Sequence, residues 1–202
     1  MNSHNRINKT LTVLAMLYIA TLLPLSAQAA DKYTIDPAHT FSEFSIKHLV
    51  ISNVKGGFPD ISGTIHYDAK DETKSSVEVT LKVASVNTNI KDRDDHLKSP
   101  DFFDAGKYPD IAFKSTKIEQ SETCLMITGL LTIKDKTHEV TFPFELNGPV
   151  VDPWGKSRIG VQGKLTINRH DYGLTYNQVL ESGGLIIGND VQIELNLEAV
   201  KK

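Results

Sequence analysis

Cysteine is nearly missing from this chain: Cys124 is the single thiol in 202 residues. One thiol closes no internal disulfide, so the fold must be held by its core alone. Its place deep in the chain also excludes lipid attachment through a processed terminal cysteine. With Leu125, Met126 and Ile127 beside it, Cys124 reads as an inert, half-buried strand residue rather than a reactive thiol. Runs of positive charge are missing as well. The chain holds 22 basic against 25 acidic residues, and this balance without a basic cluster makes nucleic acid and anionic membrane surfaces poor partners.

Catalytic and metal signatures are equally scarce. His39, His48, His66, His96, His138 and His170 show no H-x-H, H-x-x-x-H or Cys-His spacing, so no metal and no cofactor are expected. There is no G-x-S-x-G elbow, no phosphate-cradling glycine loop and no catalytic cysteine motif. Internal repeats, low-complexity tracts and linkers are absent too, which predicts one domain.

What is present begins with an export signal. Arg6 and Lys9 precede an uncharged apolar run from Leu11 to Leu23, followed by Pro24 and the small-residue stretch Ala27-Gln28-Ala29. This pattern predicts a cleaved signal peptide over residues 1–29 and a periplasmic product with no stable membrane insertion. The alternative, an uncleaved anchor, is disfavoured by the small-residue site and the switch to "DKYTID". Residues 1–29 hold two of the basic residues and none of the acidic ones, so residues 30–202 carry twenty basic against 25 acidic groups. Their length suits one domain with a substantial core.

From Lys32 onward the dominant signal is alternation with period two, the mark of strands with one buried face. Val77, Val79, Leu81 and Val83 oppose Glu78, Thr80 and Lys82. Val140, Phe142, Phe144 and Leu146 oppose Thr141 and Glu145. The runs at 158–167 and 191–199 repeat the pattern with Ile159, Val161, Leu165, Ile167 and with Val191, Ile193, Leu195, Leu197. Weaker alternation covers 33–48, 58–68, 110–118 and 123–133, for about eight strands separated by turn signals such as Gly56-Gly57. Eight such strands can form a two-sheet sandwich or a closed barrel, and the pattern alone leaves both open.

Two stretches break the period. "KDRDDHLKSPDFFDAGKYP", residues 91–109, places Asp92, Asp94 and Asp95 early in a possible helical turn that Asn89 or Asp92 could cap. Pro100 limits the turn, and Phe102 and Phe103 follow, predicting a short helix and tight turn across one end of the molecule with the phenylalanines inward. In "NRHDYGLTYN", residues 168–177, Arg169, His170 and Asp171 leave a strand for an aromatic turn around Gly173. This is either an Asp-stabilised loop or a place where Arg169 or His170 meets a polar head group.

The blocks "YTIDPAHTFSEFSIKH", "RDDHLKSPDFFDAGKYPDIAFKS", "DPWGKSRIGVQGKLTINRHDYGLTYN" and "ESGGLIIGNDVQIELNLE", in order from Tyr33 to Glu198, resemble the YceI family of exported bacterial proteins. Tyr172 and Tyr176 stand where the family often has Phe and Trp. The resemblance implies an all-β fold, an eight-stranded antiparallel lipocalin-like barrel with a short helical insertion, and an apolar tunnel holding a polyisoprenoid lipid without catalysis. The expected walls are Val79, Leu81, Phe113, Phe142, Phe144, Val161, Leu165, Ile193 and Leu195, with Phe44 and Tyr172 as further ligand contacts. Phe102 and Phe103 would form a lid, and Arg93, His96 or Arg169 would face the head group. Two other readings are an enzyme acting on that lipid at the mouth through His96 or His170, and a ligand-free structural or stress-response barrel filled by its own side chains. A homodimer is compatible with each.

Overall fold

A computed structural model describes residues 30–178 and 185–202; the expected signal peptide and its cleavage point lie outside the described residues. The strands are β1 (Asp31–Ile35), β2 (Phe41–His48), β3 (Ser52–Gly57), β4 (Ile61–Tyr67), β5 (Ser76–Lys82), β6 (Asp110–Gln120), β7 (Leu125–Ile133), β8 (Lys136–Val151), β9 (Ser157–Asn168) and β10 (Ile187–Lys201). One helix, α1 (Lys91–Lys98), sits between β5 and β6. Every strand pairing is antiparallel.

Ten strands make an eight-membered wall because two wall positions are broken strands. β1 pairs with β10 at Ala199–Lys201, and β2 pairs with the same edge of β10 further along, from Asn196 to Ile187. The break falls at Pro37, which has no N–H to give a ladder, and Asp36 accepts a hydrogen bond from Ala38 N at 3.1 Å to shape the intervening turn. β3 and β4 are likewise two halves of the next position, pairing β2 and β1 respectively and separated by Phe58-Pro59-Asp60. The ring then runs β4-β5-β6-β7-β8-β9-β10 and closes on β1, with Tyr33 opposite Lys201. A closed barrel of eight strands is the result, and the sandwich is excluded.

Gly56 and Gly57 lie inside β3 and not in a turn as their type suggested. A Cβ on Gly57 would meet Ser42 O at 2.7 Å, and one on Gly56 would meet Thr88 Cγ2 at 2.6 Å. Their missing side chains let residues 87–88 close against the wall, where Gly57 N donates to Asn87 O and Asn87 N to Gly57 O, each 2.9 Å. β3 makes no ladder with β5, which ends at Lys82, so residues 83–109 fill that seam.

Helix α1 forms where expected, with a different cap. Ile90 occupies the N-cap without a side-chain bond, and Asn89 turns left-handed at φ 62°. Asp94 faces back instead, accepting from Thr88 N at 2.8 Å and Thr88 Oγ1 at 2.5 Å. Cys124 is half-buried as expected, but in the β6–β7 turn, not in a strand.

The core divides along the barrel axis. One end is closed by Tyr33, Ile65, Tyr67, Ile159 and Ala199. Above these Arg158 donates to Asp36 Oδ2 (2.8 Å), Asp152 Oδ2 (2.7 Å) and Glu198 Oε1 (2.6 Å). At the other end Phe58, Val83, Phe102, Ile133, Tyr172 and Leu174 pack beneath α1 and the 169–178 segment.

Candidate functional site

Between the two clusters lies a cavity of about 390 Å³. Its wall is built from the inward members of the alternating strands, since in a strand every second side chain points to one face. β5 supplies Val79 and Leu81, β6 Phe113, β8 Phe142 and Phe144, β9 Val161 and Leu165, and β10 Ile193 and Leu195. Phe44 of β2 lies among them. The deep end is reached by Ile127 and Leu197 and the outer end by His48 and Gln178. An interior walled by aliphatic and aromatic groups attracts apolar matter and no isolated charge.

The outer end is framed by α1, the β2–β3 hairpin and the segments 174–178 and 186–187. Phe102 and Phe103 both face the cavity, held by Phe102 N donating to Ser99 O (3.1 Å) and Phe103 N to Leu97 O (3.0 Å). The rings of Phe58 and Phe103 stack edge-on at 5.6 Å, and Phe44 follows at 5.9 Å from Phe58. His96, Phe102 and Tyr176 form a triangle of rings 5.0 Å apart. This aromatic collar narrows the way in.

The polar groups expected at the mouth behave differently from one another. His96 lines the cavity, and its Nε2 lies 3.0 Å from Asp101 Oδ2, so a carboxylate orients the imidazole. Arg93 also lines the cavity but spends Nε and Nη2 on Thr88 Oγ1 (2.7 Å) and Thr88 O (2.9 Å). Arg169 lines the cavity as well and is 2 % exposed. It donates from Nε to Gly188 O (2.8 Å) and from Nη1 to Leu174 O and Tyr176 O, which staples the loop after β9 to the start of β10. Burial holds its guanidinium pKa below the ordinary value, and among the described residues no carboxylate pairs with it.

Tyr172 and His170 are not among the residues that line the cavity. Tyr172 is buried in the adjoining core with its ring edge-on to His138 at 5.0 Å, and burial raises its phenol pKa. His170 is exposed. Ring size at Tyr172 therefore shapes the packing behind the wall. Ile46, His48 and Val54 of the β2–β3 hairpin, Leu97 of α1, and Leu174 and Gln178 join the lining without having been anticipated, and of the two tyrosines singled out in the sequence Tyr176 lines the cavity. The alternation Phe44, Ile46, His48 was legible, whereas β3 was hidden by its glycines.

The trio Asp36, His39 and Glu198 has donor atoms within 4.8 Å of one another, but Arg158 occupies the charge between them. The Arg158 guanidinium, with His39 beside it, brings the Asp36 carboxyl down from 3.8 to about 2.

Known proteins share both sequence and architecture with this chain. A UPF0312 protein of Staphylococcus aureus (strain MSSA476) is 40 % identical over 167 residues, covering 82 % of this chain and 95 % of the relative. The crystal structure of the Campylobacter jejuni YCEI protein matches 77 % of this chain and 90 % of its own at 36 % identity and a TM-score of 0.66. A polyisoprenoid binding domain from Saccharophagus degradans, implicated in plant cell wall breakdown, shares the fold at 17 % identity and a TM-score of 0.65, covering 87 % of this chain and all of that one. With residues 33–199 matching the YceI-like domain from the first strand to the last, this hollow eight-stranded barrel belongs to the YceI family.

Proposed function

We propose that the protein is a carrier or store for a long-chain polyisoprenoid lipid, of quinone or polyprenyl phosphate type, and performs no covalent chemistry on it. The observation that carries this reading is the apolar cavity of about 390 Å³, which lies in the size range of ligand sites and presents few polar groups except at its outer end. Burying roughly 600 Å² of hydrocarbon at about 25 cal/mol per Å² contributes on the order of 15 kcal/mol gross, enough to exceed several kcal/mol of ordering and association costs. The polyisoprenoid cargo of the S. degradans domain, which has this fold, supports the cargo class. A barrel filled by its own side chains accounts poorly for the cavity.

The same proposal places the carrier in the periplasm as residues 30–202, on the strength of Arg6, Lys9, the Leu11–Leu23 run and Ala27-Gln28-Ala29. Among the described residues no helix is long and apolar enough to cross a membrane. Arg93 and His96, together with Lys47, His48 and Gln178, line the cavity's outer end and carry donors that can meet a head group.

One observation favours an enzyme instead: the His96–Asp101 pair is an oriented imidazole at the mouth, a usual proton carrier. No nucleophile motif accompanies it. The deciding experiment is organic extraction of the purified protein followed by mass spectrometry. A long-chain isoprenoid near one equivalent is expected, and His96→Ala should retain it with affinity lowered by about 1 to 3 kcal/mol at most. Extracts free of lipid, together with failure of added quinones and polyprenyl phosphates to bind, would remove the carrier. Turnover of such a lipid by the wild type and not by His96→Ala would replace it with the enzyme.

A further inference from the structure

The turn between β2 and β3 departs from local preference in two ways at once. Ile51 N donates to His48 O at 3.2 Å, and both central residues are left-handed, Leu49 at φ 52° and Val50 at φ 64°. That backbone is what Asn, Asp and Gly adopt readily in hairpins and what a β-branched residue adopts only under strain. The side chains held there are also bare, with Val50 66 % and Ile51 84 % exposed. Neither property stabilises the barrel. Strain and exposed apolar surface kept together at one position point to a use outside the fold.

The position of the tip indicates what that use is. His48, at its base, lines the outer end of the cavity. Leu49 N donates to Ile186 O at 2.8 Å, and Ile186 and Ile187 belong to the cavity rim. The tip therefore rises from the edge of the mouth.

Its charge is the reverse of the molecule's. Toward the tip the hairpin carries Lys47, His48 and Lys55, and its one acidic residue, Glu43, lies at the far end, paired with Gly57. In the β2–β3 register Lys47 faces Asn53 and Ser45 faces Lys55, so both exposed ammonium groups stand on one face of the hairpin. Another bare apolar tip among the described residues, Val150, Val151 and Trp154, lies at the closed end beside Asp152.

We propose that the β2–β3 tip docks the protein on the surface of an anionic bilayer, with Val50 and Ile51 entering the acyl boundary and Lys47 and Lys55 meeting lipid phosphates. The mouth then opens against the membrane, and the cargo passes between bilayer and barrel without crossing water. The inference rests on the carrier reading for its purpose but not for its geometry. The chain-wide acidic balance, which by itself made anionic membrane surfaces poor partners, does not oppose docking through this tip, because screening at physiological salt acts over about 8 Å and the tip arrives first. Apolar insertion combined with basic flanks is the usual chemistry of interfacial attachment.

The test is co-sedimentation with vesicles of phosphatidylglycerol and phosphatidylethanolamine against vesicles of phosphatidylcholine, using exported protein in one processed form throughout. The wild type should bind the anionic vesicles, less so as salt rises. Val50→Asp with Ile51→Asp, neither of which lines the cavity, should lower the bound fraction about tenfold or more. Leu49→Asn with Val50→Gly should raise the thermal midpoint while lowering binding, and Trp154→Ser should change nothing.

Equal binding by wild type and the double aspartate variant, or binding to no vesicle, overturns the proposal. So does self-association of the wild type in the ultracentrifuge that Ile51→Asp abolishes, since the tip then covers a second copy of the chain. Lipid extracted from the same preparations separates the two readings. Cargo present without tip-dependent vesicle binding sinks the docking alone, and tip-dependent vesicle binding by protein that yields no lipid and binds no added quinone or polyprenyl phosphate sinks the carrier alone.

Discussion

Arg169, which lines the cavity, has its guanidinium beneath the surface and turned toward backbone, where "NRHDYGLTYN" had left open both a stabilised loop and a head-group partner. Removing it leaves the carbonyls of Leu174, Tyr176 and Gly188 without their donor, and orphaned buried acceptors are costly. Arg169→Ala is expected to destabilise the fold by about 2 to 4 kcal/mol, read as a lowered denaturant midpoint, and Arg169→Lys should rescue little because one ammonium cannot reach the same set of carbonyls. At the closed end the relevant residue is Asp36, whose carboxyl Arg158 and His39 hold at about 2 against an ordinary 3.8. A depressed folded-state pKa stabilises above the unfolded value and loses that contribution as pH falls through the folded one. The stability difference between wild type and Asp36→Asn should therefore be full above about pH 4 and shrink toward pH 2. Denaturation midpoints that differ equally at pH 6 and pH 2 would show that this ion pair contributes nothing through its charge.

At the scale of elements, the two broken strands position the mouth. Pro37 and Pro59 interrupt wall positions that would otherwise run straight, which frees the β2–β3 hairpin from β5 and leaves the seam that residues 83–109 occupy. The seam is pinned by the reciprocal Gly57–Asn87 hydrogen bonds. Gly57→Ala would press a methyl group onto Ser42 O, 2.7 Å from the ideal Cβ position, and backbone cannot step aside as a flexible side chain can. A loss of about 1 to 3 kcal/mol is expected, accompanied by faster amide exchange at Asn87 than at the closed-end strands. Unchanged exchange at Asn87 would mean the seam is held by α1 and its phenylalanines instead.

On the scale of the whole molecule, the proposed carrier predicts that cargo and barrel stabilise one another, because a ligand held only by the folded state adds to its stability by mass action. At a free ligand level of about 100 Kd the gain is about 2.7 kcal/mol, and for a domain of this size that corresponds to roughly 5 to 10 °C in the thermal midpoint. Protein stripped of lipid and refolded should melt lower by that amount, and readdition of the extract should restore it. A midpoint indifferent to extraction would indicate an interior that stands on its own.

The inward and outward faces of residues 77–82, 140–146, 159–167 and 191–197 were determined by the sequence itself, because alternation along a strand is local and one buried face demands it. The short helix before Pro100 and the inward turn of Phe102 and Phe103 were local in the same sense. Closure was not: it depends on Tyr33 meeting Lys201 across the length of the chain, and the same alternation would serve a sandwich. Strand β3 was hidden because its glycines are turn residues by type and become strand residues only where residues 87–88 press against them. The partners of Arg169, and the space left between inward side chains that each looked like ordinary core, were decided by the tertiary structure alone. A cavity is a property of the ring's circumference, which no single strand contains.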